Sequence, residues 1–214
     1  MISYEERQRI ESRYRAASEI FRVKDPDTTY GHSLRVATII ALLCDSIDEH
    51  FGLPRELIFP VGFIHDIGKI GMPDNVLCGT VSYNKESIQR RTIEMHPALG
   101  LQMVKDLPGV VRNIVFCHQE KFDGSGYPRG IAGEEIPLEG RIVAAVDALD
   151  AMLSKRPYKE ERLLYGVLKD MERSSGSHFD PEVVVSLSQL IKSGDRKIDR
   201  VFDEFYSKSL SPRY

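Results

Sequence analysis

"PRELIFPVGFIHDIGKI", residues 54–70, is the stretch on which the fold turns. It reads as a helix entered at Pro54, since proline suits a first helical turn. The apolar run from Leu57 to Ile64 belongs in a core, and it delivers His65 and Asp66 near the helix's C-terminal end. Burying an imidazole beside a carboxylate is costly unless each group is satisfied. Two plain accounts are open at this point: a structural hydrogen-bonded pair, or a helix terminus where His65 meets the last carbonyls. Neighbouring side chains on a helix point about 100° apart, so both could serve one centre only from its edge.

Outward from this segment, helical periodicity dominates. Residues 3–23 place Ile10, Tyr14, Ala17, Ile20 and Phe21 on one stripe. A second helix spans residues 32–51, and further helices are expected at 85–105, 108–118, 138–153, 159–174, 181–192 and 196–207. "GMPDNVLCGTVSYN" (71–84) is punctuated by Gly71, Pro73 and Gly79 and reads as loop. The β-branched runs "VVRNIV" (110–115) and "RIVAAV" (141–146) alternate poorly and sit inside longer helical patterns. The expectation is an all-α, compact multi-helix bundle with a metal site in its core. Within it, residues 1–24 form a helix packing on or extending the domain, residues 25–192 form the domain itself, and residues 193–214 form a helical tail.

At 214 residues the chain can bury a sizeable core without disulfides. A net charge of −3 leaves no basic footprint for polymeric nucleic acid. Cys44, Cys78 and Cys117 have unrelated spacings and read as reduced, partly buried thiols of a cytoplasmic protein. The N-terminal "MISYEERQRIESRYRAAS" lacks an apolar segment of the signal-peptide kind, and no apolar run approaches the roughly 20 residues of a membrane span.

The chemistry-bearing residues are unevenly spread. His32 opens a helix after "DPDTTYG", His96 precedes Pro97, and His118 ends an apolar helix. Asp147 and Asp150 stand three apart in the apolar "RIVAAVDALDAM", where aspartate is disfavoured by propensity and burial and so requires a strong partner. A metal would supply one. Imidazoles with carboxylates suit iron, manganese or zinc better than magnesium. The two oxygens of Asp66 could bridge two such ions, which could activate water and stabilise a leaving oxygen. Lys69, about one turn beyond His65, could pair with a phosphate oxygen. His50 and His178 keep no such company and read as surface or capping residues. "FCHQEKFDGSGYPRG" (116–130) follows a helix and runs into "IAGEEIPL", so it does not sit before a helix N-terminus as a phosphate cradle would. Its glycines read as letting the chain reverse closely beside the site, with Pro128 stiffening the turn.

Taken together, "HDIGKIGMPDNVL", "MHPALG", "HQEKFDGSGYPRGIAGEEIPL", "RIVAAVDALDAM" and "KRPYK" resemble, in order and spacing, the HD-GYP domains of the HD metal-dependent phosphohydrolases. "YGHSLRVA" and "GSHFDPEVV" extend the resemblance to about residues 25–190. The resemblance implies an all-helical domain holding two first-row divalent ions, iron or manganese, with zinc, cobalt or nickel as further options. It implies metal ligands at His32, His65, Asp66, His96, His118 and Asp147, with Asp150 in support, and catalytic roles for Asp66 and Lys69. Lys69, Arg156 and Lys159 would bind substrate. Gly126, Tyr127 and Pro128 would form a lip, a candidate docking surface for GGDEF diguanylate cyclases. The implied activity is hydrolysis of cyclic di-GMP, or a related cyclic dinucleotide, to pGpG or GMP by a metal-bound hydroxide.

Three departures stand out. Gln119 follows His118 where the family carries a second histidine, and an amide oxygen is a weaker ligand for first-row ions. Thr28 occupies the position at which three-metal members carry a glutamate, so a third ion is not expected. "CGTVSYN" replaces a Lys-Pro-Gly-like segment and is expected to reshape the substrate mouth. An enzyme and a non-catalytic module binding the nucleotide or a cyclase therefore both remain open.

Overall fold

A computed structural model of the protein describes residues 2–73, 88–154, 160–194, 200–201 and 203–204. The regular elements among these residues are helices, joined by turns and loops, with one isolated β-bridge between Ser175 and Phe179. Helix α1 (Tyr4–Lys24) begins with a capping box. The Ser3 hydroxyl accepts from the Glu6 amide, and the Glu6 carboxylate accepts from the Ser3 amide. A π-helical turn, Pro26–Tyr30, leads straight into α2 (Gly31–Ile47). Helix α3 (Arg55–Phe63) is followed by a 3-10 segment, Ile64–Gly71. Next come α4 (Ile88–Ile93), α5 (His96–Met103) and α6 (Gly109–Cys117). A short 3-10 turn, Gly133–Glu135, precedes α7 (Leu138–Ser154), α8 (Glu160–Arg173) and α9 (Pro181–Lys192).

The apolar run of the opening segment is buried as its composition demands: Leu57, Ile58, Val61, Phe63 and Ile64 are nearly inaccessible. α3 lies along α2, whose Val36, Ala37, Ile40 and Leu43 face it from the core. α1 closes this layer by setting Tyr14 edge-on against Phe63, with centroids 5.1 Å apart. α7 packs on both α2 and α6, and α9 covers α2, α7 and α8. The all-α bundle expected from periodicity is thus the observed architecture, with the His/Asp cluster in its core.

Three boundaries differ from the sequence reading. The segment carrying His65 and Asp66 runs on directly from α3 as a tighter 3-10 segment in place of α-helix. The helix expected over 85–105 is interrupted by a turn at Glu94 and Met95, and restarts at His96 because Pro97 fits only a first helical turn. The second helix stops at Ile47, where Asp48 takes a left-handed conformation (φ 52°) that aspartate tolerates better than most residues. The 3-10 turn packs so closely on α5 that a Cβ at Gly68 would lie 1.9 Å from the His96 carbonyl oxygen. Only glycine permits that approach. Cys78, the "CGTVSYN" loop, Arg156, Lys159 and most of the expected tail lie outside the described residues.

Candidate metal centre

His32 is positioned from upstream. α1 ends at Lys24, and the buried Asp25 carboxylate accepts from the amides of Thr28 and Thr29 and from the Thr29 hydroxyl at 2.6 Å. This cap holds the π-helical turn and thereby the start of α2. The His32 Nδ1 then meets Asp150 Oδ2 of α7 at 2.7 Å. Asp150 also takes Arg35 Nε at 2.6 Å and Nη2 at 3.0 Å, so one carboxylate ties two side chains of α2 to α7.

His65, His96 and His118 share a different device. Each stands at or just beyond a helix end, where the final carbonyls lack intrahelical partners. Each Nδ1 donates to the carbonyl three residues earlier: Gly62 at 2.8 Å, Ile93 at 2.6 Å and Val115 at 3.0 Å. A carbonyl can only accept, so these bonds place the proton on Nδ1 and leave each Nε2 lone pair pointing into the cluster. The plain reading of His65 as a residue meeting its helix's last carbonyls is correct, and that contact is what aims its other nitrogen.

The four imidazoles form two pairs. His32 Nε2 and His65 Nε2 are 3.3 Å apart, and lie 3.6 and 3.5 Å from Asp66 Oδ2. His96 Nε2 and His118 Nε2 are 2.9 Å apart, and lie 3.2 and 3.5 Å from Asp66 Oδ1. Asp66 therefore presents one oxygen to each pair. Asp147 Oδ1 joins the first pair, 3.1 Å from His32 Nε2. Asp66 Oδ2 also receives the Lys69 ammonium at 2.5 Å, whereas Oδ1 is fully buried with no hydrogen-bond partner.

This donor set fits a metal. Converging lone pairs repel unless a cation lies between them, and a buried acceptor without a partner is costly. Among the described residues, His32, His65 and Asp66 form one group that could hold an ion, and Asp66, His96 and His118 form another. Nitrogen and carboxylate donors together suit a first-row cation. The electrostatics distinguish the two pairs. Burial pushes His96 down to about 3 against the pull of Asp66, keeping that ring neutral and able to ligate. Burial also opposes charge on His32, but Asp147 and Asp150 on its two nitrogens outweigh it and raise the group to about 9. For Asp66, burial alone would raise the carboxyl; the Lys69 ammonium instead holds it well below the usual range.

His32, His96, His118 and Asp147 of the cluster line an open cleft of about 800 Å³, together with Arg35, Lys69, Gln119, Tyr127 and His178. Of the residues singled out in the sequence, His32, His65, Asp66, His96, His118 and Asp147 converge on the cluster, and Lys69 joins them. Gln119 reaches it only indirectly: its Nε2 donates to Asp147 Oδ2 at 3.0 Å and its Oε1 accepts from Tyr127 Oη at 3.1 Å. In the lip, Gly126 runs so close to the preceding backbone that a Cβ would lie 2.3 Å from the Lys121 nitrogen, so the close reversal read from the glycines is present. Tyr127 turns inward, edge-on to His96, while Pro128 is exposed. His50 lies apart from the cluster, 3.3 Å from Asp45, and exposed His178 sits at the rim beside Lys121.

Two residues escaped the sequence reading. Arg35 is three positions after His32 and so shares its helix face, a spacing that could have flagged it. Glu120 is buried and accepts from the amides of Arg129 at 2.7 Å and Gly130 at 3.0 Å, fastening the far end of the lip. Its position between a ligand candidate and a glycine loop carried no such signal.

Comparison with known proteins agrees with this geometry. A family model for the HD domain matches residues 6–183. The chain belongs to the HD domain family. This HD-domain chain is 34% identical over 171 residues to a cyclic di-GMP phosphodiesterase of Thermotoga maritima, covering 77% of this chain and 45% of that protein. It is 35% identical to the cyclic di-GMP phosphodiesterase response regulator RpfG of Xanthomonas campestris, covering 78% and 44%. The chain thus spans less than half the length of these relatives. The HD domain of the L. monocytogenes phosphodiesterase PgpH, solved with cyclic-di-AMP, superposes with a TM-score of 0.60 at 18% identity, over 83% of this chain and 94% of that one. At that identity the likeness concerns the fold. The resemblance read from the motifs is borne out. No helix among the described residues is long and apolar enough to cross a membrane.

Proposed function

We propose that this chain is a metal-dependent phosphodiesterase of cyclic dinucleotides, acting on cyclic di-GMP to give pGpG or GMP. The observation that carries the reading is Asp66: buried beneath an open cleft lined by His32, His96, His118 and Asp147, it offers one oxygen to each of two histidine pairs. His32, His65, Asp66 and Asp147 would hold one ion; Asp66, His96 and His118 would hold a second. Such ions, iron or manganese by donor type, supply water activation and charge neutralisation at a phosphoryl group. The side chains do the rest. Asp150 and the three backbone carbonyls keep the imidazoles oriented. Lys69, held charged by Asp66 and Asp147 despite burial, presents an ammonium to a phosphate oxygen at the cleft floor. Arg156 and Lys159 are proposed to hold the nucleotide's remaining phosphate charge, and the lip of Gly126, Tyr127 and Pro128 to border the bound substrate or a GGDEF partner. The same reading places the chain in the cytoplasm, where buried thiols such as Cys44 and Cys117 stay reduced.

The test is incubation with cyclic di-GMP and Mn²⁺ or Fe²⁺, with product separation by chromatography. The wild type should release pGpG or GMP, and Asp66→Ala should release neither. A wild type that binds the nucleotide without consuming it would leave the chain a signalling module. Preferential turnover of cyclic di-AMP or a mixed dinucleotide would keep the chemistry and change the substrate.

A further inference from the structure

Gln119 occupies the position where a metal-binding histidine was expected, and its geometry is not that of a ligand. A carboxylate oxygen accepts hydrogen bonds, and Asp147 turns its Oδ2 to the Gln119 amide. The end of the Gln119 amide that faces it must therefore be the NH₂, as the 3.0 Å contact from Nε2 to Oδ2 records. This leaves Oε1, the atom a metal would need, turned toward the Tyr127 hydroxyl at 3.1 Å. Reversing the amide would set its oxygen against a carboxylate oxygen. Both polar ends of Gln119 are thus engaged by protein partners. The contact also has a directional effect. By occupying Asp147 Oδ2, Gln119 leaves Oδ1 as the oxygen facing His32 Nε2.

We propose that Gln119 is a positioning residue, an amide clamp through which the lip tyrosine Tyr127 orients Asp147 in the metal centre. The lip is then part of the centre's support: Tyr127 touches His96 with its ring edge and reaches Asp147 through the amide. A residue in this role is expected to alter how tightly ions are held and to leave their number unchanged. Losing a partner that orients a ligand typically costs about tenfold or more in affinity.

The inference rests on the metal-centre reading, and its test separates the two. Mn²⁺ affinity and equivalents per chain are measured by equilibrium dialysis for the wild type, Gln119→Ala, Tyr127→Phe and the double variant. Each single variant should bind the wild-type number of equivalents about tenfold more weakly. The double variant should be no weaker than Gln119→Ala, because the hydroxyl acts only through the amide. Loss of a whole equivalent in Gln119→Ala would make the residue a ligand and overturn the proposal. So would a Tyr127→Phe variant that binds like the wild type, or single effects that multiply. Tyr127→Phe removes one hydroxyl and keeps the test open if Gln119→Ala does not fold. A wild type that binds no Mn²⁺ refutes the metal-centre reading instead. The clamp is then judged on metal-free protein by amide exchange over residues 121–131, which should quicken in both single variants and overturns the proposal if unchanged.

Discussion

Alanine at Gly68 would push the HD turn and α5 apart, and the consequence can be worked from the contacts. An added Cβ would lie 1.9 Å from the His96 carbonyl oxygen, 2.6 Å from the Gly100 nitrogen and 2.8 Å from the His96 carbonyl carbon. All three are backbone atoms, so no side-chain rotation relieves the overlap. Restoring van der Waals contact requires moving one segment by about 1 Å, and overpacking of this kind typically costs about 1–3 kcal/mol. The upper end applies here, because both segments are buried and carry His65, Asp66 and His96. The displacement acts directly on the 3.2 Å separation of His96 Nε2 from Asp66 Oδ1. Urea unfolding of metal-free Gly68→Ala should thus show a midpoint lowered by on the order of 1 M, given typical slopes for chains of this size. Mn²⁺ binding should weaken at least tenfold. Gly166→Ala is the internal control: it lies within α8 with nothing within 4 Å of the added Cβ, and should gain up to about 1 kcal/mol from helix propensity. A Gly68→Ala protein within about 0.5 kcal/mol of the wild type, well below the overpacking range, would refute the claim that this contact fixes the two halves of the centre.

Metal-free protein should lose stability in alkali. His32 titrates at about 9 in the fold against an ordinary 6.5, so its contribution is complete below about pH 6.5 and disappears as pH rises through 9. The linked loss is roughly 3 kcal/mol, measurable by urea unfolding at pH 6 and pH 10, and it should shrink in Asp150→Asn, where Asp147 alone still raises His32. Asp150→Ala removes the buried carboxylate that Arg35 and His32 share and should destabilise by about 3–5 kcal/mol, as expected for a broken buried pair, while weakening Mn²⁺ binding 10–100-fold. Glu120→Gln keeps one acceptor for the amides of Arg129 and Gly130 but turns an NH₂ group toward the other, at a cost of about 1–3 kcal/mol. Amide exchange at residues 129 and 130 should quicken accordingly, and unchanged exchange would contradict a fastening role for Glu120.

Much of this architecture could be read from the chain because it rests on local rules. The apolar run before His65, the stripes of α1 and α2, and the aspartates isolated in α7 each declare burial or an unmet partner. What could not be read depends on distant contacts. The 3-10 form of the HD turn follows from its packing on α5, some 30 residues later, and the break before His96 shows how a proline overrides an otherwise helical pattern. Gln119 could be recognised as out of place, but whether its oxygen met an ion or a phenol was decided by Tyr127 and Asp147, which the chain brings together from different elements.

The bond from each imidazole to the carbonyl three residues before it has a further consequence. In His65, His96 and His118 the ring's orientation is a property of its own helical turn, since no remote partner holds its Nδ1. The centre is therefore modular. Each histidine arrives already aimed, so one donor can be exchanged without misdirecting the others, and the unit of a helix end plus a histidine is in principle transferable to another scaffold. His32 is the exception, because Asp150 on a different helix holds it. Of the four, it is the one whose aim would be lost if the bundle loosened.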